Sequence, residues 1–447
     1  MSKTAAKSTI YAFSTAPGKS AIAVLRVSGP GAADSIRHLT KRDLPKPRMA
    51  ALRRIFEGEE RIDDALVLWI PGPRSETGED MAEFHLHGGR ATTSAALAAL
   101  ATLPGYRAAA PGEFTRQAFD NGRLDLTQAE AVADLVEAET AAQRRQALRQ
   151  MDGVLGKLYE RWRETLLANL ARGEAAIDFP DEDLPGELMT RLKGDIEALR
   201  GEIAAHLDDR GRGERLREGF SIAILGAPNA GKSSLLNFLA RREAAIVSAR
   251  AGTTRDVVEV HLDMAGYPVI LSDTAGLRVT VDEIEAEGVR RALARANSAD
   301  LKLVLFDATL WPAADAATAT QIDHNTLILL TKSDMATGLP KDLQVMGQPA
   351  LAVSVKTGAG TEAMLARLRE LIAERCSAGE LPALTRRRHR EALGECQEAL
   401  KRADGAASPE LMAEDLRLAA RALGRITGRV DVEDILDRIF RDFCIGK

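Results

Sequence analysis

The chain has 447 residues, of which 45% are hydrophobic and 28% charged, and its formal net charge is −5 at pH 7. A chain of this length is expected to form about three domains with hydrophobic cores. The negative net charge argues against a protein that binds nucleic acid through its overall charge, so any RNA contact must be local. No apolar run approaches the roughly 18 residues of a membrane span, and the N-terminal residues lack a signal-peptide core. We therefore expect a multidomain cytoplasmic protein that does not cross a membrane.

The first stretch, residues 1–120, has short strand patterns among loops rich in proline and glycine. Within it, Glu83, His85 and His87 alternate with apolar residues, which places all three on the polar face of one strand. Two histidines raise the possibility of a metal site, but no third ligand lies nearby in sequence, so lining a pocket is the preferred interpretation. We predict one small α+β domain here.

Two stretches with helical periodicity follow, residues 121–216 and residues 379–447. The first is rich in Ala, Leu, Glu and Arg, and Thr127 with Glu130 predicts a capping box near its start. Because either stretch alone would bury little apolar surface, we predict that they form one helical domain into which residues 217–378 are inserted.

The inserted segment begins with a strand, a glycine loop and a helix in the order that a P-loop requires. An apolar run precedes the loop Gly226 to Ser233, and a helix-like segment follows it. Backbone N–H groups of such a loop surround phosphates, Lys232 adds charge near the terminal phosphates, and the Ser233 hydroxyl can hold Mg²⁺. Asn229 is placed to ligate a monovalent cation beside the phosphates. The expected nucleotide contacts are Asn229, Ala230, Gly231, Lys232, Ser233 and Ser234.

The base is indicated further along, where Thr331-Lys332-Ser333-Asp334 follows an apolar strand. Asp334 would accept hydrogen bonds from the ring N–H and the amino group of guanine. Adenine offers no such donor pair, and an unpaired carboxylate would cost about 1–3 kcal/mol or more. The sequence therefore predicts GTP rather than ATP, with Thr331, Lys332 and Asp334 at the base. The usual first residue of this motif is Asn, and Thr331 lacks its amide, which predicts lower guanine affinity.

A short loop, Ser354 to Lys356, resembles the segment that backs the base in such domains. An ordinary strand end is the alternative, and the loop gains weight only from its place in the order of motifs. Ser354 and Lys356 are the residues expected to adjoin the base.

Two further segments are typical of phosphate-sensing switches. They are residues 252–256 and residues 273–276. Thr254 is the expected Mg²⁺ ligand that orders with GTP, and the Gly276 N–H is expected to bond the terminal phosphate until hydrolysis removes that phosphate. Asp273 fits an indirect Mg²⁺ role. The residues of these segments expected at the nucleotide are Thr254, Asp273, Thr274, Ala275 and Gly276.

Leu277 stands where other GTPases carry the glutamine that orients the attacking water. The water must then be oriented by another group, and Glu285 is our candidate. A solvated acid at the start of a helix is the alternative interpretation of Glu285.

The C-terminal part contains local basic groups and a cysteine near the chain end. Residues 386–390, and Arg417, Arg421, Arg425 and Arg429 at four-residue spacing, could contact RNA, and solvated helix surface is the alternative. The three cysteines, Cys376, Cys396 and Cys444, are too widely spaced to predict a disulfide framework or a zinc site. Cys444 occupies the position of a prenylated cysteine, but the residues after it fit that signal poorly. A buried structural cysteine is another alternative.

These residues resemble the tRNA-modification GTPase family called MnmE or TrmE over essentially the whole chain. Four blocks carry the resemblance. They are residues 9–30, residues 78–89 with Gly78-Glu79-Asp80 and His87-Gly88-Gly89, residues 111–131, and the terminal Phe443-Cys444-Ile445-Gly446-Lys447 combined with the Pro-Asn-Ala-Gly-Lys-Ser form of the P-loop.

The resemblance implies an α/β plus all-α fold, with an N-terminal domain that binds folate and mediates homodimerisation, a helical domain, and an inserted Ras-like GTPase domain activated by potassium. It also implies tRNA as substrate, a flavoprotein partner, and a 5-formyl- or 5,10-methylene-tetrahydrofolate donor for modification of carbon 5 of the wobble uridine. The implied folate contacts are Arg26, Glu83, Arg123 and Lys447. The family usually has Lys at Arg123, so charge is kept there but geometry is not.

In the GTPase domain the resemblance implies potassium ligation at Asn229, Ser248, Arg250 and Thr253, with Ser248 and Thr253 also near the nucleotide. It places Glu285 as the residue that orients water. It makes Cys444 a catalytic tail thiol that is delivered to the folate site.

Two other functions share some of these features. A ribosome-assembly GTPase that binds RNA without one-carbon chemistry would have a similar GTPase domain. A folate-dependent aminomethyltransferase would share only the first domain and gives no role to the GTPase motifs.

Overall fold

The chain divides into two compact units, which we describe separately. Unit 1 comprises Met1–Ala133, Gln150–Leu184 and Ala406–Lys447, and unit 2 comprises Asp134–Arg149 and Pro185–Gly405. The computed structural model describes residues 8–178, 186–246, 258–273, 297–377, 382–430, 433–441 and 443–446. The predicted domain boundaries at residues 120, 216 and 378 stay predictions.

Six strands form the sheet of unit 1. They are β1 Thr9–Phe13, β2 Ser20–Ser28, β3 Ala51–Glu57, β4 Glu60–Ile70, β5 Met81–Gly88 and β6 Tyr106–Ala108. Their order is β3-β4-β5-β2-β1-β6, and neighbouring strands are antiparallel except for the parallel pair β1 and β6.

One face of this sheet is covered by two helices, α1 Ala32–Thr40 and α2 Arg90–Ala101. Leu25 and Phe84 point into the resulting core, and both residues are fully buried. Because side chains alternate between the faces of a strand, Arg26 and Glu83 must lie on the opposite face.

Unit 1 also contains helices that precede and helices that follow the long segment of unit 2, Pro185–Gly405, in the sequence. They are α3 Glu113–Asp120, α6 Val154–Asp178, α13 Pro409–Thr427 and α14 Glu433–Arg441. Helix α6 packs along α13, and the Thr427 hydroxyl donates to Glu160 over 2.8 Å. A helical segment that precedes the glycine loop thus packs on one that follows the base loop. Helices α4 Leu126–Glu137 and α5 Ala141–Met151 each contribute residues to both units.

The capping box of α4 lies two residues earlier than predicted. The Gln128 N–H donates to the Asp125 carboxylate over 2.9 Å, and the Asp125 N–H donates to the Gln128 side chain over 3.0 Å. The prediction of Thr127 with Glu130 was wrong because Asp125, which precedes the first residue of the helix, is itself a good N-cap residue.

Unit 2 is built on an eight-stranded sheet. Its strands are β7 Phe220–Gly226, β8 Ala244–Ile246, β9 Val258–Met264, β10 Tyr267–Asp273, β11 Leu301–Asp307, β12 Thr326–Thr331, β13 Gln344–Val345 and β14 Gln348–Ala352. The order is β13-β14-β12-β11-β7-β10-β9-β8, and β7 runs parallel to both of its neighbours, β10 and β11. Apolar clusters cover both faces of the sheet, which explains the continuous apolar runs of these strands.

The described helices of unit 2 are α7 Gly186–Leu207, α8 Arg212–Glu218, α9 Lys232–Arg242, α10 Ala316–Ala319, α11 Thr361–Cys376 and α12 Arg387–Asp404, and a 3₁₀ turn covers Ala308–Leu310. Helices α7 and α12 pack together, with an ion pair of 2.9 Å between Arg200 and Asp404. The α+β sheet, the helices and the parallel P-loop-type sheet confirm the predicted fold class.

Several of the basic residues near the C-terminus contact carboxylates within their own units. Arg390 bonds Asp209 over 2.6 Å and also contacts Glu214. Arg417 bonds Glu174 over 2.7 Å, and Arg429 lies 3.3 Å from Glu160. These contacts favour the interpretation as structural helix surface over an RNA-binding row.

Among the residues that the structure describes, no helix combines the length and apolar character required to cross a bilayer.

Candidate functional site

The phosphate loop lies between the end of β7 and the start of α9. Gly231 precedes the helix in a left-handed conformation with φ of 92°, which a glycine adopts without strain. The N-terminus of a helix favours an anion, because its first N–H groups point along the helix axis and carry partial positive charge. The structure therefore brings together the loop residues that the sequence predicted.

The charged and polar side chains of this loop are held in different ways. The Lys232 ammonium donates to the carbonyl groups of Gly226 and Ala227 over 2.8 and 3.0 Å, which keeps it folded over the loop. Ser233 is exposed on the first turn of α9. Asn229 is exposed in a left-handed conformation with φ of 64°, and its side chain contacts no hydrogen-bonding partner among the described residues. Its amide oxygen is thus available as a ligand.

The base loop begins where β12 ends. Asp334 is exposed and has no hydrogen bond or ion pair with another described residue, so its carboxylate is open to accept. The Lys332 ammonium lies 2.6 Å from the Asp307 carboxylate. Burial raises the pKa of Asp307, but hydrogen bonds from Lys332 and Thr309 outweigh it and leave the pKa below its ordinary value. This pair therefore stays ionised and fixes the Lys332 side chain.

The loop predicted to back the base adjoins the base loop. The Ser333 N–H donates to the Val353 carbonyl over 3.3 Å, and Ser354 is buried with its N–H bonded to the Ala359 carbonyl. Lys356 is exposed. The bond from Ser333 to Val353 joins two segments that the sequence could only place in order.

Several predicted residues lie outside the described part of the chain. They are Ser248, Arg250, Thr253, Thr254, Thr274, Ala275, Gly276, Glu285 and Lys447. The backbone of Asp273 ends β10, in register with Ile224 of β7.

A second cluster lies on the face of the unit 1 sheet that α1 and α2 leave uncovered. Arg26 and Glu83 are direct cross-strand partners on β2 and β5. The Arg26 Nε and Nη2 atoms bond Glu83 Oε1 over 3.0 and 2.9 Å, and both side chains are about 15% exposed. The Arg26 guanidinium also lies 5.8 Å from the centre of the Phe114 ring. One carboxylate oxygen of Glu83, Oε2, is left for another donor.

The surroundings of Glu83 contain an unsatisfied polar atom. His85 Nε2 is 3.6 Å from Glu83 Oε2, and it is buried without a hydrogen-bond partner. Buried polar atoms are nearly always paired in proteins. The Glu83 carboxylate and the His85 ring therefore fit a polar ligand on this face. His87, by contrast, bonds Asp63 over 2.7 Å, and no group of three metal-ligating side chains occurs within the described ranges.

Arg26 has a second carboxylate partner that the sequence did not reveal. Arg26 Nη1 lies 2.8 Å from Glu76, whose side chain is 55% exposed. Glu76 belongs to the loop between β4 and β5, and such a loop has no periodicity from which its contacts could be predicted.

Arg123 lies against this same loop. A Cβ on Gly78 would come within 3.2 Å of Arg123 Cγ, and the Asn121 amide donates to the Thr77 carbonyl over 2.8 Å. Arg123 is exposed; its N–H donates to the Ala118 carbonyl over 2.8 Å, but its guanidinium has no hydrogen bond or ion pair with the described residues. The structure thus brings Arg26, Glu83 and Arg123 to one loop, with Arg123 free to bind an anion.

The C-terminal tail is docked on unit 1. Ile445 forms an antiparallel bridge with Pro111, the Gly112 N–H donates to the Cys444 carbonyl over 3.4 Å, and the Ser14 hydroxyl donates to the Gly446 carbonyl over 2.9 Å. Phe443 anchors the tail in an apolar cluster with Leu126, Leu436 and Phe440. The Cys444 backbone therefore lies beside Gly112 at the start of α3. Phe114, whose ring lies under the Arg26 guanidinium, is two residues after Gly112.

The three cysteines differ in exposure. Burial raises the pKa of Cys376 and of Cys396 to about 12, so neither forms a thiolate near neutral pH. All three thiols are free, and Cys444 alone is exposed. The structure thus excludes the alternative of a buried structural cysteine at position 444.

Comparison with known proteins gives matches along nearly the whole chain. The family model for the MnmE helical domain matches residues 126–444, and the model for the GTP-binding protein TrmE N-terminus matches residues 9–123.

Full-length relatives are similar at high identity. The tRNA modification GTPase MnmE of Paramagnetospirillum magneticum is 58% identical over 98% of this chain and 99% of its own length. Proteins of the same name from Parvibaculum lavamentivorans and Rhodospirillum rubrum are 56% and 55% identical, over 98% of this chain and 100% and 99% of their lengths. Together with the phosphate loop, the base loop and the docked tail, these matches establish that the chain belongs to the MnmE (TrmE) family of tRNA modification GTPases.

Proposed function

We propose that this chain hydrolyses GTP and, with a flavoprotein partner, adds an aminomethyl or carboxymethylaminomethyl group to carbon 5 of the wobble uridine of certain tRNAs. A tetrahydrofolate would donate the one-carbon unit. The observation that carries the proposal is the docked tail, which holds an exposed thiol, Cys444, beside the helix whose Phe114 lies under Arg26. Because its substrate is tRNA, we place the protein in the cytoplasm.

The folate part of the proposal rests on the sheet face of unit 1. A pterin ring presents adjacent N–H donors, and the free Oε2 of Glu83 can accept one of them while Arg26 holds Oε1. The glutamate tail of a folate carries carboxylates, and Arg123 is an exposed cation without a partner in the described structure. This set of donors and acceptors fits both ends of the ligand.

The GTPase part rests on unit 2. Lys232 and the N–H groups of α9 would hold the phosphates, and Asp334 would bind the guanine. Ser233 and Thr254 would hold Mg²⁺, and Asn229 with residues 248–253 would hold K⁺. The free amide oxygen of Asn229 fits such a ligand set. The two cations would supply positive charge that offsets the charge developing on the phosphates.

Homodimerisation is supported by a row on the uncovered sheet face in which three of the four side chains are apolar. Leu52, Leu66, His85 and Val24 are successive cross-strand partners on β3, β4, β5 and β2. Leu52 is 70% and Leu66 is 44% exposed, although large apolar side chains on a sheet face are usually covered. We infer that a second copy of the chain covers this row.

The dimer is tested by replacement of Leu66 with glutamate. A buried, unpaired carboxylate at an interface is strongly unfavourable, so Leu66→Glu is expected to shift the protein from dimer to monomer in sedimentation velocity. Leu310→Glu is the matched control, because Leu310 is 64% exposed in unit 2. A wild-type monomer, or a dimer that Leu66→Glu leaves intact, would contradict the proposed interface.

The proposed function is tested by mass spectrometry of wobble uridines. A strain without the gene should lack the modification, and the wild-type chain should restore it. Lys232→Ala is expected to fail to restore it, because loss of hydrogen bonds to charged phosphates weakens binding by about tenfold or more. Arg241→Ala, an exposed cation at the other end of α9, is the control and should restore it. Unchanged uridines in the deletion strain would contradict the proposal.

A further inference from the structure

The first residue of the base loop is a buried hydrogen-bond donor. Thr331 is 8% exposed, and its Oγ1 lies 2.7 Å from the Ala230 carbonyl in the phosphate loop and 3.1 Å from the Phe306 carbonyl on β11. A Cβ on Gly231 would be 3.7 Å from the Thr331 side chain, so the two loops are in close contact there. Thr331 is therefore a tether between the base loop and the phosphate loop.

The tether uses the single hydrogen of the Thr331 hydroxyl, so that hydrogen is not available to the base. Both partners of the hydroxyl are carbonyl oxygens, which only accept, and a hydroxyl carries one hydrogen. The hydrogen is therefore used within the protein. An asparagine amide has two hydrogens, so an asparagine at this position could keep the tether and still donate to the base.

Guanine offers two acceptors, N7 and O6, on its major-groove edge, and O6 also adjoins the Watson–Crick donor N1–H. Thr331 has no hydrogen left for either of them. Of the neighbouring donors, the Lys332 ammonium bonds Asp307 and the Ser333 N–H donates to the Val353 carbonyl. Asp334, which has no partner in the described structure, can bind only the Watson–Crick donors of the base.

We infer that Thr331 sets the base specificity of this chain. Its hydroxyl tethers the two loops and donates no hydrogen bond to guanine N7, so guanine is selected through Asp334 at its Watson–Crick edge. The inference rests on the proposed GTP site. It gives the expected lower guanine affinity a defined cause, the absence of one hydrogen bond to N7.

The wild-type protein provides the first test, with no variant required. GDP and 7-deaza-GDP differ in the N7 acceptor, and their affinities are measured by competition against a fluorescent GDP analogue. We expect the two ligands to bind within about twofold of each other, because the Thr331 hydroxyl has no hydrogen left to donate to N7. A preference for GDP of fivefold or more would overturn the inference, whereas absence of binding by either ligand would contradict the nucleotide site itself.

Two substitutions test separately the effect of the tether and the effect of the absent hydrogen bond to N7. Thr331→Asn is expected to bind GDP about two- to tenfold more tightly than the wild type while its affinity for 7-deaza-GDP stays unchanged, since one hydrogen bond to N7 is added. Thr331→Val keeps the shape but leaves the two carbonyls without a donor, so both affinities should fall together by several-fold. An unchanged ratio in Thr331→Asn, or wild-type affinities in Thr331→Val, would overturn the inference.

Discussion

Replacement of Cys444 by serine is expected to reduce wobble-uridine modification to the level of a strain without the protein, while GTP hydrolysis keeps its wild-type rate. The thiolate, not the thiol, is the nucleophilic form of cysteine, and a serine hydroxyl is far less acidic. Because the tail is held by backbone bonds at Cys444 and Gly446, serine should dock in the same place. The change therefore removes the sulfur without moving the tail.

Two neighbours of Cys444 provide controls for this variant. Ile445 is 61% exposed, so Ile445→Ala should leave modification near the wild-type level. A Cβ on Gly446 would lie 2.1 Å from the Phe13 carbonyl, and the φ of 96° at Gly446 disfavours other residues. Gly446→Ala should displace the tail and reproduce the loss seen with Cys444→Ser. Normal wobble uridines in Cys444→Ser cells would remove the thiol from the proposed chemistry.

Replacement of Asn229 by glycine is expected to abolish potassium stimulation of GTP hydrolysis, a loss of roughly 10²-fold, while GDP affinity stays close to that of the wild type. A fixed positive charge beside the phosphates is worth most in the transition state, and loss of one such stabilising interaction typically costs this much. Glycine tolerates the left-handed conformation of Asn229, so the loop backbone should be preserved.

The control for this variant is Asn237→Ala, which removes an exposed asparagine from α9 and should leave the potassium effect intact. Initial rates of phosphate release are compared in KCl and NaCl at equal ionic strength. Equal wild-type rates in the two salts, or a full potassium effect in Asn229→Gly, would contradict cation ligation at this position.

Local patterns in the sequence predicted that the phosphate-loop and base-loop segments each follow an apolar strand, and β7 and β12 are the strands found there. In both segments the expected functional residues directly follow the strand. Their place at the end of that strand could therefore be predicted from their position along the chain. The alternation of Glu83, His85 and His87 likewise predicted the face that they share, because the period of a strand is two.

Contacts between distant segments could not be predicted in this way. The pairing of Arg26 with Glu76 depends on the path of an irregular loop, and the tether from Thr331 to Ala230 depends on the packing of two loops across the sheet. The carboxylate partners of Arg390 and Arg417 come from segments far away in sequence, so the sequence alone left RNA contact and helix surface both open. The start of α4 was misplaced because Asp125 and Thr127 are both capable caps.

Glu83 and Glu76 offer a matched pair for the folate site, since both contact Arg26 but only Glu83 is largely buried. Loss of a hydrogen bond to a buried charged group is expected to weaken ligand binding by about 10- to 100-fold, so Glu83→Gln should bind folate poorly. An exposed ion pair contributes little, so Glu76→Gln should stay within about fivefold of the wild type.

The most direct test of the account is therefore a calorimetric titration of the full chain with 5-formyltetrahydrofolate. We predict saturable binding by the wild type and by Glu76→Gln, and strongly weakened binding by Glu83→Gln. No binding by the wild-type chain would contradict one-carbon chemistry on this sheet face and would favour a GTPase that acts in ribosome assembly.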